Sequence, residues 1–286
     1  MHVEVVLVNS FTHKGEGGNP GGVVFDAEHL SDRQRLKVAQ AVGFSETAFV
    51  TKDAEADFEV AFFTITEEVD YCGHATLAVF STLFTLNMLN SGTYLQRTKA
   101  GLLAVTIDAS GSVIMQQKLP QKLQHFSHQE IAAVIGIDSS VLASTKLPVE
   151  AISTGLSDVI IAVPTGYLDV IIPRDKIIAN FCRKHQVVGL HVFELYGKES
   201  AISASCRNFA PLFGISEESA TGSASGALAC YLAEHSALPH NYIFEQGRAI
   251  NKTSIITASV TCHDDLVTSV KVGGTACILK TITVSI

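Results

Sequence analysis

Apolar and polar residues along the chain fall into short strand-like runs, interrupted by longer segments with helical spacing. Residues 3–8, Val-Glu-Val-Val-Leu-Val, read as a strand. A glycine-rich loop follows, Gly15-Glu16-Gly17-Gly18-Asn19-Pro20, and then an apolar strand over 22–25. Ser31-Asp32-Arg33-Gln34 has the pattern of a capping box with Gln34 at N3, and the helix it opens should stop at Gly43. Residues 48–50 and 58–63 predict further strands. Residues 72–84, Cys-Gly-His-Ala-Thr-Leu-Ala-Val-Phe-Ser-Thr-Leu-Phe, form a helix candidate that is apolar or small all the way round. A helix without a polar face is buried on every side. Residues 102–108 and 112–116, on either side of Ser110-Gly111, predict a hairpin. Leu119-Pro120 is the place for a crossing between domains.

The second half repeats this plan. Ser127 and Glu130 form another capping box, with Gly136 as the stop. Strands are expected at 158–163 and 167–172, a helix over 175–184, and strands at 192–196 and 203–209. Residues 221–233 give a second helix with no polar face. Several strands close the chain, with turns at Asp264-Asp265 and Gly273-Gly274. The two helix starts, Cys72-Gly73-His74-Ala75-Thr76 and Thr221-Gly222-Ser223-Ala224-Ser225, read as one element used twice. Each follows acidic residues: Glu67, Glu68 and Asp70 in one case, Glu217 and Glu218 in the other. Two buried helices imply two cores. The fold expected is therefore α+β, with two pseudo-symmetric domains, each a curved mixed sheet wrapped around a central buried helix. Residues 1–120, completed by 274–286, would form the first domain and 121–273 the second. The competing explanation is that small residues merely permit close packing and the repetition is chance.

Composition narrows the class. Hydrophobic residues make up 47% and charged residues 17%, which supports a large core and excludes disorder. The net charge is −8 with Lys and Arg scattered, so no nucleic-acid footprint is present. No run approaches ~18 uninterrupted apolar residues, and the chain opens on a strand instead of a basic-then-apolar leader, so no membrane span or export signal is expected. Six cysteines lie far apart without a CxxC pair, which points to free thiols in a reducing cytoplasm. Neither a zinc-type ligand cluster nor a phosphate-binding glycine loop occurs, so no motif points to a metal or a bound nucleotide.

A buried helix that starts Cys-Gly-His or Thr-Gly-Ser offers unpaired N–H groups and the positive end of the macrodipole, and glycine lets a ligand come close. Two such starts facing across a domain cleft would hold the carboxylate of a small anionic metabolite without Arg or Lys. His74 and Ser223 would then project into that cleft; His74 equally fits a buried residue capping its own helix. Glu46 lies in Gly43-Phe44-Ser45-Glu46-Thr47-Ala48-Phe49, between a helix stop and an apolar strand. It reads either as an exposed turn residue or as a carboxylate partly desolvated at a site, where a raised pKa would suit it to shuttle a proton.

Several segments, taken in order, resemble the PhzF-like family of phenazine biosynthesis. They are Gly18-Asn19-Pro20 with Val23-Val24, Phe44-Ser45-Glu46-Thr47-Ala48-Phe49-Val50, Val69-Asp70-Tyr71-Cys72-Gly73-His74-Ala75-Thr76, and Phe209-Ala210-Pro211 running on to Glu217-Glu218-Ser219-Ala220-Thr221-Gly222-Ser223-Ala224. Gln246-Gly247 and Val272-Gly273-Gly274 extend the resemblance over essentially the whole chain. It implies the diaminopimelate-epimerase-like fold, an active site at the domain interface, a homodimer, and isomerase chemistry without metal or coenzyme. The best-known member isomerises a dihydro-hydroxyanthranilate. By motif position the proton-carrying glutamate is Glu46, accompanied by His74, Glu218 and Ser223; Asn19, Gly73, Thr221 and Gly222 would bind substrate. Glu218 stands where the family commonly has Asp, and Ile65 where it often has Pro. Epimerases of the same fold use two cysteines. Here Cys72 fills the first thiol position but Thr221 the second, and a threonine hydroxyl is too weakly acidic to replace a thiolate. Substrate identity is not legible in the chain.

Overall fold

Two helices that show no polar face do sit inside sheets. In the computed structural model, which describes residues 1–197, 199–264 and 266–286, the chain divides into two units: residues 1–116 with 273–286, and residues 117–272. Leu119-Pro120 falls in the second unit, just before its first strand. The helices are α1 (Asp32–Val42), α2 (Gly73–Thr85), α3 (His128–Ile135), α4 (Ser139–Ala143), α5 (Asp175–His185) and α6 (Gly222–His235).

In the first unit, His2–Ser10 pairs antiparallel with Asn19–Val24 and with Ala276–Ser285. Asn19–Val24 runs parallel to Thr47–Thr51, which is antiparallel to Phe58–Phe63. The sheet continues through Gly92–Thr98, Gly101–Ile107 and Val113–Gln116. Helix α2 lies against six of these strands, with every residue from His74 to Leu83 buried. Burial of a side chain such as Leu77, Val79, Phe80 or Leu83 is worth about 1.5–3 kcal/mol each. The opposite sheet face carries α1, whose Val38 and Ala39 pack with Val3, Val5, Leu7 and Phe49. Strand Thr47–Thr51 is thus covered on both faces and buried throughout. Helix α1 begins where the capping box places it: Gln34 Oε1 accepts from the Ser31 N–H at 3.0 Å and from its hydroxyl at 2.8 Å. It ends at Gly43, whose φ of 72° is costly for any residue with a Cβ.

The second unit runs through the same order of elements. A hairpin, Val149–Ser153 with Ser157–Ala162, leads to α5 and then to Gly189–Leu195, parallel to Ser157–Ala162. Ala204–Ala210 follows antiparallel, with the short Ile215–Glu218 beside it. After α6 comes Asn241–Gln246, parallel to Ala204–Ala210 and antiparallel to Ser254–His263. In the first unit Phe58–Phe63, Glu68–Val69, α2 and Gly92–Thr98 stand in the same relation. Gln121–Phe126 extends the second sheet beside Val149–Ser153. Helices α3, α4 and α5 cover its outer face through Ile131, Leu142 and Ile178, and α6 lies on the inner face. The α+β architecture, mixed sheet wrapped around one buried helix in each unit, follows directly from those two unusually apolar segments.

Some expectations are corrected. Residues 167–172 form turns instead of a strand. Pro164 and Pro173 bracket them, Gly166 takes φ +87°, and Tyr167 N–H turns back onto the Pro164 carbonyl. The carbonyls of Leu168 and Ile171 accept from the buried Arg207 guanidinium at 3.1 and 2.8 Å, so they have no ladder to join. Gly273 and Gly274 end the strand Leu266–Gly274 and do not turn. Thr275 is held extended there by Thr12, whose N–H donates to the Thr275 carbonyl at 3.0 Å. At the expected turn Asp264-Asp265, Asp265 lies outside the described residues. Among the described residues no helix is long and apolar enough to cross a membrane.

Candidate active site

The first cluster is built by three neighbouring backbone segments of the first unit. Gly22 lacks the Cβ that would meet Thr47 Oγ1 at 2.9 Å, so the strands Asn19–Val24 and Thr47–Thr51 close together. Gly22 N–H donates to the Glu46 carbonyl at 3.2 Å, which fixes Glu46 beside Gly21. A Cβ on Gly21 would lie 3.7 Å from His74 Cδ2. Ser10 donates to the His74 carbonyl at 2.6 Å and pins the first turn of α2 to the opening strand. Asn19 is buried two residues before Gly21 and so shares its face of the strand.

These constraints bring Glu46, Cys72 and His74 together. Glu46 Oε2 is 3.3 Å from His74 Nε2. It is close enough for an ion pair but lies outside hydrogen-bond geometry, and it is a buried oxygen without a hydrogen-bond partner. The Glu46 side chain as a whole is 20% exposed. It is therefore neither an ordinary turn residue nor fully sequestered. Cys72 Sγ is 3.3 Å from His74 Nδ1. Burial pushes the His74 pKa below the ordinary imidazole range, and the Glu46 charge opposes that shift. The ring is accordingly neutral near pH 7, with one N–H and one lone pair between a carboxylate and a thiol. Cys72 is the N-cap of α2 and makes no side-chain capping bond. His74 faces Glu46 and Cys72 through its ring and does not cap the helix. The space that a Cβ on Gly73 would enter is open to 4 Å. First-turn N–H groups of a helix are the natural place to receive an anion.

The second cluster is built within the second unit. Thr221, the N-cap of α6, also makes no capping bond through its side chain. Its hydroxyl donates to Glu218 Oε2 at 2.6 Å, and its N–H donates to Gln246 Oε1 at 3.2 Å. The Gln246 amide donates to the Glu218 carbonyl at 2.8 Å and to Thr221 Oγ1 at 3.0 Å. Thr154 donates to the Ser223 carbonyl at 3.0 Å and fixes the first turn. Gly222 and Ser223 are half-buried at that turn. Glu217 points elsewhere: it forms a two-pronged ion pair with Arg207 at 2.9 and 2.6 Å, with both side chains buried. Of the paired acids before α6, Glu218 belongs to the helix start and Glu217 to the core.

Gln246, Ser10 and Gly21 did not stand out in the sequence as site residues. Gln246 had a signal in the following Gly247, at φ +82°, where a Cβ would lie 2.4 Å from the Lys252 carbonyl oxygen. The repeated topology also shows what the second unit lacks. In the first unit Thr47 pairs with Gly22, and in the second Gly189 pairs with Asp158. The position equivalent to Glu46 is therefore Val188, so the carboxylate is not duplicated there.

The profile of the family described as "Phenazine biosynthesis-like protein" matches residues 8–281. An uncharacterised isomerase of Clostridium acetobutylicum is 32% identical, with 95% of this chain and 94% of that protein covered. The trans-2,3-dihydro-3-hydroxyanthranilate isomerase of Pseudomonas chlororaphis is 29% identical, covering 96% of each. The crystal structure of a Bacillus anthracis phenazine biosynthesis protein of the PhzF family superposes with a TM-score of 0.90, at 29% identity over 100% of both chains.

Proposed function

Because this chain belongs to the phenazine biosynthesis-like family, we propose that it is an isomerase that relocates a proton on a small carboxylate metabolite, with Glu46 as general acid and base. The observation that carries this reading is the buried, unpartnered Glu46 Oε2 set 3.3 Å from the His74 ring. A carboxylate so placed takes a proton from one substrate carbon and returns it to another. His74 steadies the ionised and the protonated forms in turn through its N–H or its lone pair. No metal or coenzyme takes part in this step. Amide groups at Gly73 and the start of α2, with Asn19 nearby, would receive substrate oxygen and stabilise charge that develops in the transition state. The reading gives Thr221, Gly222 and Ser223 to the same substrate, with Glu218 holding a hydroxyl or amine. We place the protein in the cytoplasm as a homodimer.

The substrate in the Pseudomonas relative's name is the first candidate to assay. In D₂O, turnover should place deuterium on the carbon that gains the proton. Glu46→Gln removes the carrier, and positioned proton transfer contributes about 10²–10⁴-fold, so kcat should fall by at least that much. Turnover unchanged in Glu46→Gln would end the proposal.

A second reading rests on the Cys72–His74 contact of 3.3 Å, which gives the thiol a base at hand. Here the enzyme would be an epimerase with Cys72 or Glu46 as one base. It requires inversion at a stereocentre and strong sensitivity to Cys72→Ser, whereas proton relocation by Glu46 leaves that variant active.

A further inference from the structure

A row of buried polar side chains crosses four strands of the second unit and ends beside the start of α6. Val159, Leu190, Val192 and Phe209 belong to the apolar core on the outer face of this sheet. Side chains alternate along a strand, so Asp158, His191 and Asn208 face the inner side, where α6 lies. All three are buried. Asn208 stands directly opposite His191 on one neighbouring strand and opposite Glu218 on the other. Residues paired in this way share a face, with Cβ atoms about 4.5–5.5 Å apart. Asn208 Nδ2 donates to Asp158 Oδ1 at 3.2 Å and to His191 Nδ1 at 3.3 Å. Both amide hydrogens are thereby used, and the His191 proton is placed on Nε2. Gly189 makes room for the acid: a Cβ there would lie 3.0 Å from Asp158 Oδ1. At the far end, Glu218 Oε2 accepts from the Thr221 hydroxyl at 2.6 Å. Among the described residues Asp158 meets no cation, only the Asn208 amide. An acid buried in this way lowers stability, as expected where placement matters more than stability.

We propose that Asp158 and Asn208 are positioning residues for Glu218, setting its carboxylate at the start of α6 for the substrate hydroxyl or amine. The substrate half rests on the proposed role of Glu218; the coupling along the row does not. Ionised, Asp158 offers acceptors only, so Asn208 must turn its amide nitrogen toward it. Protonated, Asp158 also donates, and either orientation of the Asn208 amide satisfies it. The flipped amide loses its bond to His191 Nδ1 and presents the opposite dipole to Glu218 beside it. The groups that face Asp158 leave it as the switch. Burial pushes the His191 pKa down to about 3 and the Cys182 thiol of α5 up to about 12, so both stay neutral. Ile152 stands opposite Asp158 on the hairpin, and the first two turns of α6 carry no titratable group. Glu150, two positions along from Ile152, pairs with His235, and Lys122 on the next strand pairs with Glu234. Asp158 itself is raised to about 6 by burial, against the Asn208 bond.

Nuclear magnetic resonance reads this coupling without a substrate. The ¹⁵N-labelled full chain is titrated from about pH 4 to about pH 8, across the carboxylate and imidazole ranges. The backbone amides of Glu218, Thr221 and Gly222 and the side-chain amide of Asn208 should share a shift with a midpoint of about 6. Asp158→Asn keeps the shape and an acceptor but cannot ionise, and it should abolish that shared step. A step that is absent, or that survives in Asp158→Asn, overturns the proposal, and neither result depends on turnover. Kinetics with the substrate in the Pseudomonas relative's name tests the other half. Asn208→Leu should raise KM more than it lowers kcat, by up to about 10²-fold, the effect of displacing a positioned group by ~1 Å. Glu218→Gln should raise KM in the same way. A KM unchanged in Asn208→Leu but raised in Glu218→Gln overturns the positioning role. A KM unchanged in both, with the shared step present, would end the role given to Glu218 and leave the coupling along the row standing.

Discussion

Replacing Glu217 should damage stability far more than its neighbour Glu218, although the two are adjacent in sequence. The Arg207 guanidinium makes four bonds: two to Glu217 and one each to the Leu168 and Ile171 carbonyls. Both charged side chains are buried, at 7% and 6% exposure, so the pair is screened little by solvent. Breaking a buried pair by removing one partner costs about 3–5 kcal/mol, because the remaining charge is left uncompensated. Glu217→Leu should therefore cost about that much. Arg207→Met should cost more, since it strands a carboxylate and also two carbonyls, each worth about 1–3 kcal/mol if left unsatisfied. The double variant Arg207→Met/Glu217→Leu should be less damaged than Arg207→Met alone, because no charge remains. Urea denaturation of the four proteins, followed by circular dichroism, closes the cycle. A loss below about 1 kcal/mol for Glu217→Leu, or additive effects in the double variant, would show that the pair is not buried as described.

Three other expectations concern single positions. Burial raises the Asp158 pKa to about 6 against a hydrogen bond from Asn208, while in an unfolded chain the group titrates near ~3.9. The stability that its proton lends is complete below the unfolded value and lost as pH rises through the folded one. Asp158→Asn should thus raise stability by about 3 kcal/mol at pH 8 and by little at pH 4, and equal gains at both pH values would contradict this. Gly247→Ala forces a Cβ to within 2.4 Å of the Lys252 carbonyl at a φ of +82°, so a loss of about 2–4 kcal/mol is expected in a thermal melt. Thr221→Val removes the donor to Glu218, a bond to a charged group worth about 1.5–3 kcal/mol. It should lower kcat/KM, with Thr221→Ser restoring it, and equal kinetics for the two variants would dismiss the contact.

The sequence displays some of this molecule clearly and hides other parts for identifiable reasons. Both buried helices, α2 and α6, were legible because a segment apolar all round has only one place to go. The starts of α1 and α3 were legible from their capping boxes. Strands Gly92–Thr98 and Gln121–Phe126 were not. The first turns the polar Gln96 and Thr98 inward, and the second is an exposed edge, so neither alternates in the expected way. Val149–Ser153 was hidden by Glu150, a buried acid that meets His235 at 3.1 Å. The false strand over 167–172 came from apolar residues, two of whose carbonyls, Leu168 and Ile171, are bonded by Arg207, 39 and 36 positions away. At the site, Glu46, His74, Glu218 and Thr221 were named from motif and resemblance. That Cys72 touches His74, and that Gln246 ties Glu218 to Thr221, depends on folding and had no local signature.

The strand Ala276–Ser285 pairs with His2–Ser10 along its length, and the Met1 amine reaches the Ile286 carbonyl at 2.8 Å. During synthesis, the first unit must therefore wait for a partner that is made only after residues 117–272. Translation at ~5–20 residues per second puts roughly 8 to 30 seconds of intervening chain between its two parts. Residues 117–272 form one uninterrupted stretch and can fold while the opening strands stand by with an unpaired valine-rich edge. A nascent chain stalled before residue 276 should therefore be a chaperone client through the strand His2–Ser10, and synthesis of Ala276–Ser285 should be the event that closes this part of the sheet.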